Sequence, residues 1–263
     1  MDILKKLTEE FPSVREDRAK NIIALIDEGN TIPFIARYRK EMTGSCDDQV
    51  LREFNDRLQY LRNLEKRKEE VASAITEQGK MTEEIQKALD AAATLTEVED
   101  IYRPYKQKKK TRASVAVERG LQPLADFILA QDKNADVNAE AEKYISEEKG
   151  VPDAASAVAG AKDIIAEIVS DDANVRKKLR NLFMKNGVIE TKLVDKEKDE
   201  AKTYEMYDGY SENVAQAKSH RILAINRGEK EGFLKVKIAF NEEIAKRIAA
   251  AGYLKDGGYS TQL

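Results

Sequence analysis

Tryptophan is absent from this chain, and cysteine and histidine occur once each, as Cys46 and His220. A single cysteine cannot close an internal disulfide, which agrees with a reducing compartment. One thiol and one imidazole cannot supply a structural zinc cluster, and no calcium-loop pattern is present. Neither residue lies in a nucleophile motif, and His220, inside Ser219-His220-Arg221-Ile222, reads as a packed or capping residue. The glycines form no phosphate loop. Long apolar runs are missing as well: no stretch approaches the roughly 20 apolar residues that cross a bilayer. The N-terminus Met1-Asp2-Ile3-Leu4-Lys5-Lys6 lacks the apolar core and cleavage site of a secretory signal. These absences predict a soluble, cytoplasmic chain with no catalytic residues, no metal, no cofactor and no membrane partner.

What is present is charge. Asp, Glu, Lys and Arg make up 35% of 263 residues, yet the net charge is only -3, so any anion-binding role rests on local clustering. The chain is long enough for one large or two ordinary domains.

The patterning is helical. Ser13-Val14-Arg15-Glu16 reads as a capping box before a helix that runs to Glu28 and stops at Gly29. Pro33 suits the first turn of a short helix whose Phe34 and Ile35 turn inward, leaving Arg37, Arg39 and Lys40 to solvent or a partner. From Asp47 to Gln78, Val50, Leu51, Phe54, Leu58, Leu61, Val71, Ala72 and Ile75 recur at helical spacing without Pro or Gly, which predicts one long amphipathic helix. Its centre, Glu65 to Glu70, reads as a solvated face or, less readily, a nucleic-acid contact. Thr82 and Thr96 are candidate caps of the next two helices. Helices are further expected over 113–119, 122–130, 137–146, 152–170 and 172–186. Val188–Val194 and Gly232–Phe240 have strand character and can pair, apolar and cationic residues alternating in the second. A helix over 211–225 is expected between them, and Asn241 is placed to cap a last one ending at Gly252. The expected fold is mainly α: a multi-helix bundle with one long helix and a small two-stranded element near the C-terminus. The polar link at 131–138 divides it into a helical region, 1–130, and a second helical region with a small α+β element, 131–263.

One segment stands apart. Arg103 to Arg112 carries six cations, Arg103, Lys106, Lys108, Lys109, Lys110 and Arg112, and no acid. Such a run is either well solvated or placed to receive an anion. Lys and Arg offer phosphate oxygens charge-assisted hydrogen bonds, and Tyr102 and Tyr105 can stack on unpaired bases or pack at the stem of the loop.

Four blocks carry a resemblance: residues 29–41 (Gly-Asn-Thr-Ile-Pro-Phe-Ile-Ala-Arg-Tyr-Arg-Lys-Glu), 60–64, 94–102 and 219–229 (Ser-His-Arg-Ile-Leu-Ala-Ile-Asn-Arg-Gly-Glu). In this order they resemble the N-terminal region of the Tex family of bacterial transcription accessory proteins, over nearly the whole chain. The resemblance implies a multidomain nucleic-acid-binding protein, similar to the core of a eukaryotic transcription elongation factor and without established catalysis. It also implies later RNase-H-like, helix-hairpin-helix and OB-fold RNA-binding domains that this sequence does not include. Nucleic acid, RNA or DNA, is the implied partner, mainly through those domains, with transcription machinery as a second. The chain departs from the family pattern at Arg103, more often apolar, and at Gln107, more often proline; its cationic character is kept. Two readings stay open for this region: a phosphate-binding surface at 103–112 assisted by Arg37, Arg39 and Lys40, or a helical scaffold in which Arg37 and Arg39 form internal salt bridges.

Overall fold

A computed structural model describes residues 2–107, 109–132, 135–195 and 199–255. The described chain is mainly helical with one small antiparallel sheet. It divides into two compact units, Met1–Tyr105 and Lys106–Leu263.

The first unit contains α1 (Ile3–Glu10), α2 (Glu16–Asp27), α3 (Ile32–Tyr38), α4 (Lys40–Thr43), α5 (Asp48–Glu77), α6 (Glu83–Ala91) and α7 (Leu95–Tyr102), then a 3-10 turn at Arg103–Tyr105. Its spine is α5, the long helix expected from periodicity, capped by the Asp47 carboxylate accepting from the Gln49 amide. The stripe Leu51, Phe54, Leu58 and Leu61 packs with Leu7, Ile22, Leu25 and Ile35 from α1, α2 and α3. Further along, Leu64, Val71 and Ile75 pack with Leu89 and Val98 from α6 and α7. Each such side chain stabilises the fold by about 1.5–3 kcal/mol on burial. The centre of α5 is not a bare solvated face. Lys68 is buried, its ammonium donating to the Asp90 carbonyl at 3.1 Å and pairing with Glu65 at 3.0 Å. Arg67 donates to Glu99 at 2.6 Å and to Glu70 at 3.0 Å while lying over the Tyr102 ring.

Two helix starts of this unit differ from the sequence reading. The expected Ser13 box does not form: α2 begins at Glu16 with Arg15 in the cap position and no side-chain cap, because the chain turns at Phe11–Val14 to bury Val14. The cap of α7 is Thr94 rather than Thr96, its hydroxyl accepting from the Glu97 amide.

The second unit contains α8 (Arg112–Glu118), α9 (Gln122–Ala130), α10 (Val137–Glu142), α11 (Ala154–Asp171), α12 (Ala173–Asn186), β1 (Val188–Leu193), β2 (Ser211–Asn213), α13 (Ser219–Lys230), β3 (Leu234–Ala239) and α14 (Glu242–Ala250), with 3-10 turns at Asp199–Tyr207 and Val214–Gln216. One core forms where Ala157, Ala161, Ile164 and Ile165 of α11 meet Ala113 and Ala116 of α8 and Leu124, Ala125 and Ile128 of α9. That shared core groups α8 and α9 with the second unit, and the division into compact units falls at 105/106. A second core gathers Ile189, Leu193, Tyr204, Ile225 and Leu234 beneath the sheet.

β1 and β3 pair antiparallel, as the alternation suggests, but the sheet has a third strand, in the order β2-β1-β3. Its source is the segment expected to open a helix at Ser211. Gly209, at φ +68°, turns the chain so that Ser211–Asn213 pairs with β1, and Asn213 then caps the following 3-10 turn through the Ala215 amide. The helix starts only at Ser219.

Candidate nucleic-acid interface

The cationic segment begins where the first unit ends. Arg103 and Tyr105 belong to the 3-10 turn closing that unit; Lys106 and the residues after it belong to the second. Pro104 fits such a turn, with φ already fixed near the helical value. Tyr105 is half-buried against the α5–α7 core, and its carbonyl accepts from the Gln78 side chain at 3.0 Å. Tyr102 packs into the same cluster. Both tyrosines are therefore used at the stem. Arg103 is exposed, with an interaction of its own.

The other end of the segment is fixed by a capping box. The Thr111 hydroxyl accepts from the Ser114 amide at 3.0 Å, and the Ser114 hydroxyl accepts from the Thr111 amide at 2.9 Å. The Thr111 hydroxyl also donates to Glu167 of α11 at 2.9 Å. Arg112 follows with its side chain 88% exposed, and its Nε lies 3.5 Å from Asp163, a loose surface pair worth little. Lys106, Lys109 and Lys110 are exposed and make no ion pair with the described residues. Lys108 lies outside the described residues. The contrast is with arginines elsewhere: Arg57 reaches both Glu10 oxygens at 2.6 and 2.8 Å, and Arg62 both Asp27 oxygens at 2.7 and 2.9 Å. Those hydrogen bonds hold the Glu10 and Asp27 carboxyls below their ordinary values.

Arg37, Arg39 and Lys40 sit elsewhere in the first unit. Their helices pack where α5 carries Leu51 to Leu61, whereas Tyr105 meets its end at Gln78, about 25 Å further along the axis at 1.5 Å per residue. The structure thus separates them from Arg103 and Tyr105. Arg37 and Lys40 are exposed; Arg39 is half-buried, lying over the Phe34 ring at 5.3 Å and donating to the Tyr38 carbonyl. Among the described residues neither arginine makes an ion pair.

A second cationic concentration escaped the sequence reading. α12 carries Arg176, Lys177, Lys178, Arg180 and Lys185 and no acid, a signal that charge counting along the expected 172–186 helix would have found. His220 is exposed at the start of α13, beside the network in which Arg221 donates to Tyr210 and Glu212. Cys46 is half-buried, and burial pushes its thiol up, away from reactivity. Among the described residues no three His, Cys, Asp or Glu side chains converge as metal ligands, and no helix is long and apolar enough to cross a membrane.

The helical packing around α5 and the small sheet that follows it in sequence belong to a helical module of a known class: residues 1–76 match the Tex-like protein N-terminal domain, and residues 132–257 match the Tex central region-like family. The chain belongs to the Tex family. It is 46% identical over 237 residues to the Bacillus subtilis protein named Uncharacterized protein YdcI, covering 90% of this chain and 33% of that one. It is 41% identical over 243 residues to the Transcriptional accessory protein Tex of Neisseria gonorrhoeae, covering 92% and 32%. To the human S1 RNA-binding domain-containing protein 1 it is 34% identical over 234 residues, covering 85% and 23%. The chain spans about a third or less of the length of these relatives.

Proposed function

We propose that this chain is a non-catalytic part of a cytoplasmic transcription accessory protein and that it contributes a phosphate-binding surface through Lys106 to Arg112. The observation that carries this reading is the exposure of Lys106, Lys109 and Lys110 without an ion-pair partner among the described residues, beside an exposed Arg112 held only by a loose pair to Asp163, in a protein that pairs Arg57 and Arg62 bidentately. The end of the segment within the second unit is fixed by the Thr111 capping box, which sets where Arg112 starts its helix. Preorganised ammonium and guanidinium groups bind phosphate oxygens through charge-assisted hydrogen bonds. The relatives' names, transcriptional accessory protein and S1 RNA-binding domain-containing protein, support nucleic acid as the partner of the whole protein. The burial of Tyr105 and Tyr102 argues against base stacking here and for contact with the backbone alone.

A second reading has its own support. Arg39 stacked on Phe34, and tyrosines spent on the stem, are what a helical scaffold positioning other domains or contacting transcription machinery would show. Replacing Lys108, Lys109, Lys110 and Arg112 by Ala and titrating single- and double-stranded oligonucleotides at two salt concentrations separates the two. Loss of four phosphate contacts shallows the single-strand salt slope by about 3; unchanged affinity and slope select the scaffold.

A further inference from the structure

The sheet of the second unit turns one face to its core and leaves the other open. Along β1, Ile189, Thr191 and Leu193 are buried, so Glu190 and Lys192 point the opposite way. The register places Lys237 of β3 opposite Glu190, and Lys235 opposite Lys192. The first pair is neutral, with Lys237 Nζ 2.9 Å from Glu190 Oε2. The second sets two like charges directly across neighbouring strands, an arrangement that works against the sheet. Neither Lys192 nor Lys235 has an ion-pair partner among the described residues. Together with the turn at Asp208–Ser211 these side chains outline an open recess of about 600 Å³, a volume typical of ligand sites. Asp208 is committed at its rim, Oδ1 accepting from the Leu193 amide at 3.1 Å. Tyr210 borders the turn, but its ring packs against the core on the other face, edge-on to Tyr207, its hydroxyl donating to Glu212 at 2.6 Å and accepting from Arg221 at 3.2 Å.

We propose that this recess binds the sugar-phosphate backbone of a nucleic-acid strand, one phosphate lying between Lys192 and Lys235. An anion there turns the repulsive pair into two charge-assisted contacts, which is the charge complementarity the sheet lacks on its own. Ammonium groups on directly opposed positions stand close enough to bracket one tetrahedral phosphate. The proposal rests on the nucleic-acid reading above for its ligand class but shares no residue with the 106–112 segment.

The test measures binding of a fluorescent single-stranded oligonucleotide to the full chain, across a salt series, for Lys192→Glu and for Lys192→Gln with Lys235→Gln. Lys192→Glu replaces a like-charge pair by an opposite-charge pair, so its melting temperature is expected at or above that of the unchanged chain while its affinity falls. The double glutamine variant shallows the log affinity against log salt slope by about 0.7, one single-strand phosphate. Unchanged affinity and slope in both variants overturn the proposal, whatever the 106–112 variants do. Loss in the sheet variants but not in the 106–112 variants keeps the proposal and removes the segment as the contact. Inorganic phosphate at constant ionic strength is expected to compete no better than chloride; full competition means a small-anion site and overturns the strand. A polyglutamate chain that binds more tightly than the oligonucleotide overturns it in favour of an acidic protein.

Discussion

The Tyr253 hydroxyl donates to Asp172 Oδ2 at 2.8 Å, tying the chain beyond α14 to the N-cap of α12. Gln131 completes the tie from the end of α9: its side chain donates to the Tyr253 carbonyl at 2.6 Å and accepts from the Lys255 amide at 2.9 Å. Gln131 itself is buried and left-handed, at φ +53°, a conformation held by these contacts.

The first prediction follows from the phenol. Burial, then the hydrogen bond to Asp172, push Tyr253 up to about 12. Its folded value lies above its ordinary one, so its contribution to stability is complete below pH 10 and is lost as pH rises from 10 through 12. Tyr253→Phe is expected to cost about 1–2 kcal/mol at neutral pH, the range for a hydrogen bond to a charged acceptor at a partly exposed site. Urea unfolding at pH 7 and pH 11 measures both: the variant's deficit shrinks at high pH, and the late-titrating phenolate absorbance disappears.

Gly228 supplies the second. A Cβ there would sit 2.7 Å from Leu234 Cδ1 and 2.9 Å from Tyr204 Cδ1, two buried side chains of the sheet core. Replacing a mid-helix glycine by alanine ordinarily stabilises by up to about 1 kcal/mol. Here overpacking, at about 1–3 kcal/mol, outweighs that gain. Gly228→Ala is expected to lower the denaturation midpoint, and a rise would refute the packing account.

Acid stability gives the third. Glu10 is lowered chiefly by its hydrogen bonds from Arg57, and Asp27 by those from Arg62. Groups depressed in the fold contribute above their ordinary carboxylate values and lose that contribution as pH falls through the folded ones. Both pairs are partly exposed, so each is worth no more than about 1 kcal/mol. Glu10→Gln with Asp27→Asn should therefore flatten the acid limb of a stability–pH curve below about pH 4.5, with a small loss at pH 7.

Much of this fold is legible in the sequence for a physical reason. α5 shows because its apolar stripe repeats without interruption, and β1 and β3 show because alternation survives where one face is buried. β2 does not show: three residues carry no periodicity, and their pairing is set by the turn at Gly209 and the cap at Asn213. The cationic segment is visible as composition, but the use of Tyr105 at its stem depends on packing against residues far away in sequence. The alternation at 232–240 reveals lysines on one face of a strand, whereas the opposition of Lys235 to Lys192 exists only once the register is known. Arg37, Arg39 and Lys40 look near the segment in character, and the length of α5 separates them from Arg103 and Tyr105.

The most direct test of the nucleic-acid account is the salt dependence of oligonucleotide binding by the full chain, with and without Lys108→Ala, Lys109→Ala, Lys110→Ala and Arg112→Ala together. The account predicts measurable binding whose log affinity falls with log salt, and a single-strand slope shallower by about 3 in the variant. A folded variant with the same affinity and the same slope would contradict it.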